Sequence, residues 1–328
     1  MILALLLMVS AVDDPRVELI QLQLEGETVT ALERVDGILA ERSTATDPWG
    51  LDYLRGHLLE SLNDPTAAGA FADALSTTPA LAAFSRYRLA RSQLQMGHPE
   101  VAAGLLATAL ANQPPDSLIP TSVQLLSDSL SQGGDCRLLG SVEQWDLPQD
   151  EMRPIQLAQA RCALQSDDLE GAERLATDLL KRSREDEAAR GAALVLADLV
   201  SPSADAATQL RIGLTFHQHR EFDRAIPFLT RGIEAAHRGT GLPGVDRADA
   251  IYELARAQFW LADYPTAAST FSRAATDESS AAKQARAYFQ QGRCWELAGQ
   301  ESLALASYRQ SFAVTPTSSW TPAALVSA

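Results

Sequence analysis

Small residues recur twelve positions apart along most of this chain, and few folds can use such a pattern. Gly56 and Ala68, Ala90 and Ala102, Ala160 and Ala172, Gly213 and Ala225, Ala255 and Ala267, and Gly292 and Ala304 all keep that interval. Around them apolar residues fall three and four apart, as Ile226, Leu229 and Ile233 do, which is the period of a helix with one buried stripe. Turn signals lie between the members of a pair: Asn63-Asp64-Pro65, Gly97, Asp263-Tyr264-Pro265, Gly299-Gln300. A residue with almost no side chain on each of two neighbouring helices lets their backbones approach at the short end of the usual ~8–10 Å. The unit is therefore a pair of short amphipathic helices, and a Leu at Ala267 should overpack the contact at a cost of roughly 1–3 kcal/mol. One pair cannot bury its own stripe, so pairs must stack. Period-two alternation is nowhere sustained, and no sheet is expected.

The fullest unit occupies residues 285–316, where Gly292 is followed by Ala304, Tyr308, Ser311 and Pro316. It resembles a tetratricopeptide repeat (TPR), as does the unit with Ala90, Ala102, Leu106, Ala109 and Pro114, because small residues sit at the helix contact and larger ones fill the seam. The resemblance covers roughly residues 47–316. It implies an all-α superhelix, a solenoid of about six to eight TPR-like helix pairs with a concave face. Several places depart from regularity. Gln291 stands where the family has a large apolar residue, residues 238–245 form an insert, and an extra helix at about 186–200 ends at Ser201-Pro202. Ser127 and Leu139, around Gly133-Gly134-Asp135, form a degenerate unit, and one more degenerate pair precedes Asp47 with its turn at Gly26-Glu27. The expected organisation is a leader at 1–11, then repeats at 12–150 and 151–328.

Charge narrows the partners. With 27 basic against 42 acidic residues the formal charge is −15, which argues against nucleic acid and anionic membrane surfaces. Residues 2–9 are apolar and Val9-Ser10-Ala11 offers a small-residue cleavage site, the pattern of an export signal. The basic flank of such signals is missing, since Arg16 is the first basic residue. Export to the periplasm is the expectation, with a buried first helix in a cytoplasmic protein as the alternative. No later run reaches the ~18 apolar residues of a membrane span. At the other end, Ser318-Ser319-Trp320-Thr321-Pro322 reads as a helix cap and first turn, so the sequence is expected to break off in mid-helix, as a fragment would.

Candidate chemistry is sparse. The three cysteines, Cys136, Cys162 and Cys294, show no metal or redox spacing and read as buried free thiols, with a Cys136–Cys162 pair as the alternative in an oxidising compartment. Gly239, Gly241 and Gly244 spell a dinucleotide-loop motif, but a helix precedes it where that chemistry needs a strand. His217 and His219 are two apart on a helix and point to different faces, so no metal site is expected. Gln300-Glu301-Ser302 is similar to the catalytic segment of soluble lytic murein transglycosylases. Ala304 replaces the family's aromatic there, and the later Gly-Leu-Met-Gln stretch is missing. Glu301 reads instead as an acid at a helix start. No catalytic, cofactor or metal residue is assigned.

That second family matters in another way, because its members carry a helix-pair superhelix ahead of the catalytic domain. Residues 287–320 look like the last repeats of such a region. This resemblance implies, as an alternative, the non-catalytic arm of a peptidoglycan-cleaving enzyme, with peptidoglycan as the partner.

A binding face is suggested by recurring arginines. Arg91, Arg161, Arg256 and Arg293 each follow the first small residue of their unit, and first helices line the concave face of a TPR superhelix. They are candidates for carboxylate-bearing ligands through bidentate contacts, against internal pairing with Asp or Glu of a neighbouring helix. Tyr252 and Phe289 are candidate groove aromatics and Trp295 a seam residue. The leading expectation is a non-catalytic scaffold binding a protein or peptide on its concave face.

Overall fold

The computed structural model describes residues 15–41, 47, 49–145, 147, 151–200, 204–237 and 247–316. The leader read at 1–11, the Gly239-Gly241-Gly244 loop and the helix start at 318–322 lie outside the described residues. The chain divides into two compact units, Met1–Cys162 and Ala163–Ala328. No strand occurs among the described residues.

In the first unit, α1 (Pro15–Leu24) and α2 (Thr28–Ala40) are followed by α3 (Leu51–Ser61) and α4 (Ala67–Thr77), α5 (Ala82–Gln95) and α6 (Pro99–Ala111), then α7 (Ile119–Ser131) and α8 (Met152–Gln165), of which only the last three residues fall in the second. The second contains α9 (Leu169–Arg182), α10 (Glu187–Leu199), α11 (Ala206–Gln218), α12 (Phe222–His237), α13 (Arg247–Trp260), α14 (Tyr264–Asp277), α15 (Ala281–Leu297) and α16 (Glu301–Val314). The extra helix expected before Ser201 is α10, capped by Asp186, whose carboxylate accepts the Ala189 N–H at 2.7 Å. The degenerate pair turning at Gly26 is α1–α2.

The small residues do what their spacing implies. A Cβ on Gly56 would lie 2.7 Å from the Phe71 ring, one on Gly213 2.8 Å from Leu229, and one on Gly292 2.5 Å from Tyr308. In each case the residue opposite belongs to the second helix of the same pair. The pair α15–α16 is further tied by the Tyr308 hydroxyl donating to Glu296 Oε2 at 2.6 Å and the Ser311 hydroxyl donating to the Ala285 carbonyl at 2.7 Å.

The turns repeat as regularly as the contacts. One residue with left-handed φ closes each pair: Gly26, Asn63, Gly97, Gly133, Asp167, Arg220, Ala262 and Gly299. In most pairs it lies seven residues after the first small residue, as Asn63 after Gly56 and Ala262 after Ala255. Within each unit, where an α-helix follows such a turn, the reversed φ folds the chain back so that the second helix packs on the first. After Asp167 and Ala262 the next residue is an Asp that caps the second helix: Asp168 accepts the Gly171 N–H at 3.0 Å and Asp263 that of Thr266 at 3.4 Å. Such a cap contributes roughly 1 kcal/mol.

Two expectations are corrected. Cys136 and Cys162 are joined in a disulfide, with 5.8 Å between their Cα atoms; only Cys294 is the buried free thiol expected for all three. The reason lies in the degenerate unit, whose second α-helix is replaced by a 3-10 segment, Cys136–Gln144. Leu139 and Trp145 in and beside that segment enter the same core as Ile155 and Ala158 of α8, which carries Cys136 up to Cys162.

Candidate binding face

In the second unit α12 packs on α11 and α13, α14 on α13 and α15, and α16 on α15, while α11 also touches α13. The first helices α11, α13 and α15 thus form one row and the second helices the other. This is TPR-like stacking, built from the close contact that each small residue permits.

On the first-helix row, α13 and α15 frame a cleft of about 50 Å³ lined by Asp249, Tyr252, Glu253, Lys283 and Arg286. Lys283 Nζ lies 2.8 Å from Asp249 and 3.8 Å from Glu278. The Arg286 guanidinium sits 4.5 Å over the Tyr252 ring, whose edge meets Phe271 at 5.2 Å. Burial raises the Tyr252 hydroxyl above its ordinary range. The volume holds about one water or the end of one side chain.

One turn along, Glu253 lies 2.8 Å from Arg256 on its own helix and 3.3 Å from His217 Nε2 on α11. Burial, reinforced by Arg256, pushes His217 down to about 4, so the ring is neutral at pH 7. Burial also raises the Glu253 carboxyl, against the pull of Arg256.

Beyond this cluster the row turns aromatic. Trp260 stacks on Phe222 at 6.1 Å with 9° between the rings, and Phe259 meets both Trp260 and Tyr264. The Arg293 guanidinium lies 5.4 Å over Phe259, and that of Arg220 lies 5.6 Å over Trp260.

The arginines singled out by their position fall in both units. Arg91, in the first, pairs with Glu60 on α3, as does Arg88 at 2.7 Å. Arg161, also in the first, is half-buried and already engaged. In the second, Arg256 is held by Glu253, whereas Arg293 has Gln290 Oε1 at 3.4 Å and the Phe259 ring. Tyr252 is 9% exposed and borders the cleft; Phe289, 8% exposed, packs 5.5 Å from Tyr308. Trp295 packs against Phe289, Ala304 and Tyr308 in the seam of its pair.

Arg220, Arg286, Phe259 and Trp260 were not singled out in the sequence. A signal existed for Arg286, which precedes Gly292 by the interval that separates Asp249 from Ala255, and both line the cleft. Glu301 opens α16 and is exposed. Burial pushes the Cys294 thiol up to about 12, which leaves it unreactive at neutral pH.

No protein-family model matches the chain, and no curated protein matches its sequence. Among solved structures, a tetratricopeptide repeat protein from Parabacteroides merdae is similar at 12% identity and TM-score 0.35, over 84% of this chain and 96% of that one. A structure of Naa15/Naa10 bound to HypK-THB is similar at 13% identity and TM-score 0.40, over 92% of this chain and 53% of that one. Each unit is, in its described residues, an all-α stack of divergent TPR-like helix pairs, on the strength of its own paired helices and their glycine contacts.

Proposed function

We propose that this chain is a non-catalytic scaffold that holds a protein or peptide segment along the first-helix row of its second unit. The supporting observation is the make-up of that row: guanidinium groups and aromatic rings alternate along α13 and α15 beside a cleft that fits one side-chain end. Arginine and aromatic residues are the side chains that dominate protein-binding surfaces. A segment lying there would be gripped at several points along its length, each of them weak.

The scaffold is assigned to an oxidising compartment, the cell envelope. The Cys136–Cys162 disulfide supports this, because disulfides persist outside the reducing cytosol.

Selection of displayed random peptides on the full chain tests the reading. Selected peptides should lose binding to Arg256→Glu and Arg293→Glu and keep it with Arg309→Glu, an exposed change on the second helix α16. Circular dichroism checks that each variant folds. Binding that survives both first-helix changes would refute the assignment.

A further inference from the structure

Arginines on this fold divide by how their charge is held. Arg88, Arg91, Arg190, Arg247 and Arg256 each meet a carboxylate. Arg220 and Arg293 meet rings instead, and neither has an ion-pair partner among the described residues. Both are exposed. They come from different pairs, Arg220 from the turn between α11 and α12 and Arg293 from α15. They converge on two adjacent rings of α13, since Phe259 and Trp260 lie 5.9 Å apart. Three consecutive helix pairs thus contribute to one platform.

Arg220 adopts a left-handed backbone, with φ of +63°, in a turn position that Gly, Asn, Asp or Ala fills in the other pairs. Glycine adopts such a backbone freely, and what the arginine adds at this position is a guanidinium on Trp260. Trp260 is itself 52% exposed, which is high for a side chain that size. The surface is thus apolar at its centre and cationic at both ends, on a chain whose formal charge is −15.

We infer that this platform binds an acidic protein segment in which carboxylates flank an aromatic or aliphatic side chain. The apolar side chain rests against Phe259 and Trp260, and the carboxylates take the N–H edges of Arg220 and Arg293. A guanidinium lying on a ring keeps those edges available, and two N–H groups match one carboxylate. Charge complementarity selects the occupant: a basic segment is repelled, and a neutral one leaves both cations unmatched. The inference rests on the scaffold reading and names the chemistry of its ligand.

The test uses the full chain and fluorescence anisotropy at low salt. The probes are a labelled ten-residue peptide alternating glutamate with phenylalanine, its glutamine counterpart, and polygalacturonate as an acidic glycan. The acidic peptide should bind about tenfold or more tighter than the glutamine peptide. Arg220→Gln and Arg293→Gln should each weaken it by about fivefold or more, with unchanged helical circular dichroism. Added salt should weaken it further. Equal binding of the two peptides, indifference to both substitutions, or tighter binding of polygalacturonate would each overturn the inference. If the glutamine peptide binds equally well and still depends on Arg256, the scaffold reading survives and the acidic platform does not. Failure of both peptides to bind also overturns the inference, while the display selection judges the scaffold reading separately.

Discussion

Adding the same methyl group to two glycines of the first unit should stabilise the protein at one position and leave it unchanged or destabilise it at the other. Gly56 lies in α3 and Gly104 in α6, both inside helices. Replacing glycine by alanine in a helix interior gains about 1 kcal/mol from propensity alone. At Gly104 a Cβ meets nothing within 4 Å, so the full gain should appear. At Gly56 it would lie 2.7 Å from two atoms of the Phe71 ring. That ring cannot swing away, because Phe71 is wholly buried and packs on Tyr53 at 5.6 Å. Overpacking of this kind costs roughly 1–3 kcal/mol, which cancels or exceeds the propensity gain. The difference between the two variants isolates the close contact, and should amount to about 1–3 kcal/mol. Urea unfolding followed by circular dichroism measures both. Phe71→Leu combined with Gly56→Ala should recover part of the loss, a coupling visible in a double-mutant cycle. Equal stabilisation at both positions would refute the claim that small residues set the helix spacing.

Three further outcomes follow from the same geometry. Cys162→Ser should lower first-unit stability by about 3.5 kcal/mol, the loop-closure value for a 26-residue separation; an unchanged urea midpoint after full reduction would contradict it. Ala262→Gly should raise stability by about 1 kcal/mol, because Ala262 holds φ at +61° and glycine adopts that region freely; a loss would show that its methyl packs. Acid should weaken the second unit through His217, whose folded pKa of about 4 lies below the ordinary 6.5. As pH falls below about 6.5 the unfolded chain binds the proton first, so stability drops by up to about 3 kcal/mol by pH 4. Glu253, whose carboxyl burial raises, acts in the opposite sense and gains stability as pH falls. His217→Leu should remove the His217 part of the slope, and an unaltered pH profile would sink the assignment.

The helix pairs were legible because their constraint is local. Gly56, Gly213 and Gly292 each face a residue of the very next helix, so a fixed interval in the sequence records a contact in space. The turns were legible at Gly97 and Gly299, and beside Ala262 from Asp263-Tyr264-Pro265, but not at Arg220, which adopts the same left-handed φ with no Gly or Pro beside it. The disulfide was not legible, since a separation of 26 residues says nothing about a Cα distance of 5.8 Å. It depended on a 3-10 segment that replaces an expected helix. Internal pairing of an arginine such as Arg91 was legible, but its partner was not: Arg91 finds Glu60 across 31 residues, and Arg190 finds Glu221 across another 31. The Phe259–Trp260 platform was hidden because two adjacent aromatics at a helix end read equally as core residues. Its distinguishing feature, guanidiniums arriving from two other pairs, exists only once the pairs are stacked.

The central claim is that the first-helix row of the second unit is the binding surface. A photo-crosslinking residue placed in turn at 256 and 293 on that row, and at 273 and 309 on the second helices, tests it most directly with a peptide obtained by display selection. Adducts at 256 and 293, with none at 273 and 309, are the predicted result. Adducts at 273 or 309 and none on the first helices would place binding on the opposite row and contradict the account.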